Sequence, residues 1–98
     1  EEWDAQYDGL VTVKYNLEGR TGRDLDVPGY TCVGGTQVSV RIEVDAAGRV
    51  VEAFLAAGDP EGCFGQAALR SARRARFNAD DSAPKRQEGM LTYVFVAQ

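Results

Sequence analysis

The residues whose chemistry could matter are few. Cys32 and Cys63 are the only two thiols in a chain of 98 residues. They are not spaced as a CxxC redox pair, and with no histidine anywhere they cannot complete a zinc site. Two readings stay open: two unrelated buried thiols, or one structural disulfide of an oxidising compartment. Bridging that span would stabilise the fold by about 3–4 kcal/mol in the chain-entropy model. The lack of histidine also removes the usual general base and proton switch. Asp24/Asp26 and Asp80/Asp81 are carboxylate pairs, but both fall in loop-like stretches where solvation accounts for them. No catalytic residue is assigned. The chain reads as a non-enzyme without metal or cofactor.

Arg70, Arg73, Arg74 and Arg76 form the one dense cluster of charge. The net charge is −4, opposite in sign to a nucleic-acid-binding domain, so nucleic acid is not an expected partner. The arginines read first as a solvated helix face offsetting the helix dipole. A compact basic patch of this kind can also steer a domain toward an acidic receptor segment.

Periodicity supplies the elements that must hold these groups. Residues 10–17 alternate, with Val11, Val13, Tyr15 and Leu17 on one side, and predict a strand. Residues 36–46 alternate more strictly through Val38, Val40, Ile42 and Val44. A turn at Asp45–Gly48 returns the chain as a strand from Arg49 to Ala57, giving a hairpin. Asp59 is placed to cap a helix with Pro60 in its first position. Phe64, Ala67, Ala68, Ser71, Ala72 and Ala75 then keep the helical period. Met90 to Ala97 is the last strand, apolar on both faces. Residues 18–35 form a connector too long to hang free, and Cys32 is the candidate to pin it. Residues 1–9 are acidic. Trp3 and Tyr7 are spaced for one helical turn, or the stretch is a frayed terminus.

At this point the residues resemble the TonB C-terminal domain family. Gly35-Thr36-Gln37-Val38-Ser39-Val40-Arg41-Ile42-Glu43-Val44-Asp45, then Gly48-Arg49-Val50-Val51-Glu52-Ala53, looks like that family's opening hairpin. Ala67-Ala68-Leu69 through Arg73-Arg74-Ala75-Arg76-Phe77-Asn78 is similar to its helix and basic turn. Leu91-Thr92-Tyr93-Val94-Phe95 fits its last strand, and Pro28-Gly29-Tyr30 its preceding Pro/Tyr segment. The likeness spans about residues 25–98. It departs at Phe64-Gly65, where the family has Leu-Asp, and at Ala79, where it commonly has Pro.

The resemblance implies an α+β fold: one helix on a mostly antiparallel sheet of three or four strands, in the order β-β-β-α-β. Residues 1–35 would be an N-terminal strand and connector, and 36–98 the TonB-like domain. It implies a periplasmic protein-interaction domain that binds a segment of an outer-membrane TonB-dependent receptor by strand addition. Energy would come from an inner-membrane complex through a region preceding residue 1. The chain starts at Glu1 rather than Met, which reads as a mature product or excised piece whose anchor lies elsewhere. The partner-binding edge would be Met90, Leu91, Thr92, Tyr93, Val94, Phe95 and Val96. Strand 10–17 could instead cover that edge, in the same chain or in a strand-exchanged homodimer. The alternative function is a structural, dimerising or ligand-sensing periplasmic module with this fold and no receptor.

Overall fold

The computed structural model describes residues 4–8, 11–29 and 32–96. Its elements are β1 (Asp4–Asp8), β2 (Val11–Asn16), β3 (Gly22–Asp24), β4 (Thr36–Val44), β5 (Val50–Ala57), α1 (Cys63–Arg74), β6 (Arg76–Phe77) and β7 (Gln87–Phe95). Five strands form an antiparallel sheet in the order β1-β2-β7-β4-β5, and β3 pairs with β6 in a second, two-stranded sheet. The class is α+β, as the periodicity predicts. The sheet is wider than the expected three or four strands because β1 also joins it.

Alternation decides which side of the sheet is the core. Val11, Val13 and Tyr15 of β2, Val38, Val40, Ile42 and Val44 of β4, and Leu91, Tyr93 and Phe95 of β7 are all buried. They share one face because a strand's side chains alternate and the registers align them: Val13 and Val38 both stand opposite Tyr93. The helix lies on this face through Gly65, Ala67, Ala68, Ser71 and Ala72. Small residues let it approach closely. A Cβ on Gly65 would stand 2.0 Å from the Asp59 carbonyl oxygen.

Residues 11–25 are not an appendage. Val11, Val13, Tyr15, Leu17 and Leu25 belong to the same buried cluster as the helix alanines and β7. Each such side chain contributes about 1.5–3 kcal/mol by burial, so β2 is an integral strand and not a removable strap.

The connector is pinned at four places. Arg20 is 5% exposed; its guanidinium donates to the carbonyls of Asn78 at 2.7 Å and Asp45 at 2.8 Å. β3 pairs with β6, antiparallel and irregular in register. The Ser71 hydroxyl donates to the Asp26 carbonyl at 2.5 Å. Cys32 and Cys63 form a disulfide, with Cα atoms 5.7 Å apart. Of the two cysteine readings, the structure shows the disulfide.

Three local expectations are corrected. The helix starts at Cys63 with Gly62 as its N-cap, not at Asp59–Pro60. Asp59 is spent on a turn, its Oδ1 accepting from the Glu61 amide at 3.0 Å and its carbonyl from the Gly62 amide at 3.0 Å. The backbone of residues 4–8 is a strand paired with β2, not a helical turn. Trp3 lies outside the described residues, as do Tyr30 and Ala97. The last strand begins at Gln87, so Gln87 and Glu88 of the predicted polar loop belong to the sheet.

Candidate partner-binding edge

Strand addition needs a strand with one unpaired backbone side. Met90–Phe95 does not supply it. On one side Met90, Leu91, Thr92, Tyr93, Val94 and Phe95 pair with Asn16 through Val11; on the other they pair with Arg41 through Thr36. Val96 lies just past the strand and is half exposed. The expected edge is therefore the middle of the sheet. The reason is in β2, whose alternating apolar face fills the place beside β7. The cover comes from the same chain, through the antiparallel pairing of β2 with β7.

The sheet's two edges are β1 and β5. β5 pairs with β4 through Ser39↔Ala57, Val40↔Leu55, Arg41↔Phe54, Ile42↔Ala53, Glu43↔Glu52 and Val44↔Val50. Among the described residues its outer side meets one bridge, Arg49↔Arg76, just before the strand's start. From Val51 to Ala57 it has no outer partner among the described residues.

Of the usual protections of an edge, β5 has register shifts opposite Ser39/Val40 and Glu43/Val44, but little charge and no proline. Residues 50–57 read Val-Val-Glu-Ala-Phe-Leu-Ala-Ala, with no Pro and no Lys. Glu52 is the single charge, and it lies 3.5 Å from Arg86, which also binds Glu43 at 3.0 Å. Val51 is 44% exposed and Phe54 46%. Edges are commonly blunted by charge, proline or brevity, and an eight-residue apolar edge is an exception.

The helix flanks this edge. Gly65 and Leu55 face each other, a Cβ on Gly65 falling 3.1 Å from Leu55 Cδ1. Helical spacing puts Leu69 and Arg73 on that same flank. Leu69 is half-buried and Arg73 exposed. Arg70 and Arg74 lie on the opposite flank, where with Ser71 and Ala67 they border a small hollow against Asp26 and Pro28. The arginine run is thus divided between two sides of the helix. Arg76 donates from Nη1 to the Arg74 and Ala75 carbonyls at 3.3 and 3.0 Å, closing the helix end.

Asp24 sits on β3, where it pairs with Arg76, and Asp80 accepts from the Ser82 hydroxyl at 2.7 Å and the Ser82 amide at 3.0 Å. The Ser82 hydroxyl and amide hold the Asp80 carboxyl below the usual carboxylate range. Among the described residues no group of His, Cys, Asp or Glu could hold a metal ion, and no helix is long and apolar enough to cross a membrane.

No protein-family model, curated protein or solved structure matches the chain. The site is therefore argued from its geometry alone. Sequence reasoning missed β5 because it weighed only the last strand. The signal was present: β5 loses strict alternation and places Val51 and Phe54 where a two-faced strand would carry polar groups.

Proposed function

We propose that this chain is a periplasmic protein-interaction domain of the TonB C-terminal type. It takes an extended segment of an outer-membrane receptor as an added strand, and that strand lies along β5 rather than along Met90–Val96. The observation that carries the reading is the open outer side of Val51–Ala57, with Val51 and Phe54 exposed beside it. Added backbone hydrogen bonds would supply affinity, and alternate side chains would meet Phe54 on one face and the Leu55–Leu69 flank on the other. The disulfide agrees with an oxidising compartment. The succession of hairpin, helix and last strand agrees with the family resemblance. Energy would arrive from an inner-membrane complex through chain preceding residue 1.

Hydrogen exchange with peptides from receptor N-terminal segments tests this. Slowed exchange in residues 51–57 on peptide addition is the expected result. Slowing in 90–96 with none in 51–57 would sink the β5 assignment. Slowing in 51–57 that tracks protein concentration with no peptide present would point instead to a dimerising module.

A further inference from the structure

The β5 edge is chemically lopsided along its length, and this deepens the proposed strand addition, on which it rests. β6 already occupies the outer side of β5 at its start, through the Arg49↔Arg76 bridge and a 2.8 Å bond from the Phe77 amide to the Gly48 carbonyl. The chain reaches β6 directly from the helix end, so residues 73–76 stand at the Val51 end of the open slot. Three arginines gather there. The Arg73 side chain has no ion-pair partner among the described residues. Arg76 bonds only neutral carbonyls with its side chain. Arg49 is 66% exposed and shares its charge with Asp45 at 3.3 Å. Toward Ala57 the edge carries no cation, and Glu52, next to Val51 at the arginine end, is already paired with Arg86 at 3.5 Å.

An added strand antiparallel to β5 continues the sheet's own pattern and is the more stable arrangement per residue. It would run in line with β6, in the same direction, and its C-terminal end would stop against residues 73–76. We infer that the partner segment is an apolar, β-prone stretch of about seven residues with acidic side chains at its C-terminal end, held by Arg73, Arg76 and Arg49.

Three acetylated, amidated peptides test this by calorimetry at low salt. All share an alternating Val/Thr core. One ends in two glutamates, one begins with them, and one ends in two glutamines. The C-terminal-glutamate peptide is expected to bind about tenfold more tightly than the other two, with the advantage shrinking at high salt. Arg73→Gln with Arg49→Gln should erase that advantage, so that the variant binds the three peptides with equal affinity. N-methylation of alternate core amides should abolish binding of all three. Equal affinities, or a preference for glutamates at the N-terminal end, overturn the inference while leaving strand addition standing. Should none of the peptides bind or slow exchange in residues 51–57, strand addition itself fails and the inference falls with it.

Discussion

Arg20 and Asn78, 58 positions apart in the chain, clasp each other: Arg20 Nη1 donates to the Asn78 carbonyl at 2.7 Å, and Asn78 Oδ1 accepts from the neighbouring Thr21 amide at 2.7 Å. With Arg20 Nη2 on the Asp45 carbonyl, one buried guanidinium joins the connector, the β4–β5 turn and the segment after β6. Arg20→Ala would strand two carbonyls and cost about 2–4 kcal/mol, read as a lower urea midpoint. Arg20→Lys should recover little, because a compact ammonium cannot reproduce a fork aimed at two acceptors. A lysine variant as stable as the parent would show that the fork geometry is irrelevant.

The disulfide closes a loop of 31 positions. The Cys32→Ser, Cys63→Ser double variant should lose about 3–4 kcal/mol, chiefly by freeing the unfolded chain. Its circular dichroism should stay that of the parent, because Arg20, β3 and the Ser71–Asp26 bond still hold residues 20–26. An unchanged denaturation midpoint would contradict the chain-entropy account of the bridge.

Two glycines separate strain from crowding. Gly48 has φ 92°, and a Cβ there would stand 2.0 Å from the Phe77 carbonyl oxygen. Gly19 has φ 73° but meets nothing within 4 Å. Gly19→Ala should cost about 1–2 kcal/mol of backbone strain. Gly48→Ala should cost clearly more, since it must also push β6 away from the turn. Thermal melts of the two variants give the comparison, and equal losses would contradict the close approach.

Tyr93 links the core to base-induced unfolding. Burial pushes its phenol well above its usual value, opposed in part by the Ser71 hydroxyl and aided to a lesser extent by the nearby Asp26 charge. The folded state therefore keeps a proton that the unfolded state releases above about pH 10. Stability from this group is complete below that pH and is lost as pH rises toward the folded-state value. Tyr93→Phe should flatten the decline in melting temperature above pH 10 while costing about 1 kcal/mol at pH 7 through the lost hydroxyl bond. An identical alkaline decline in both proteins would place the cause elsewhere.

Strands β2 and β4 were legible in sequence because each has one buried face, and alternation reports a buried face directly. The helix body was legible for the same reason. Its start was misplaced because Asp and Pro serve a turn as readily as a cap, and only the tertiary approach of Gly65 to the Asp59 carbonyl selects between them. β3 and β6 are three and two residues long, too short to show a period. Arg20 gave no local signal: an arginine beside a glycine reads as solvated until its distant carbonyl partners are in place. The central place of β7 was not legible because strand order is not written in strand pattern. β7 looks two-faced and apolar whether it lies at an edge or at the centre, and only pairing with β2 decides. β5, with its exposed Val51 and Phe54, was read merely as the return arm of a hairpin.

The central position of β7 bears on how the chain assembles. β2 and β4 never pair with each other; each is joined to the sheet through β7, the last of the described strands in sequence. The β1–β2 and β4–β5 hairpins are local and can form early, as two separate halves. Neither half has a partner for its inner side until residues 87–95 thread between them, and every pairing with β2 then spans most of the chain. During synthesis the half-formed sheet would therefore wait with two open apolar inner edges. Folding would be limited by that late, long-range insertion, the regime in which loop closure sets the rate and exposed edges invite misassembly.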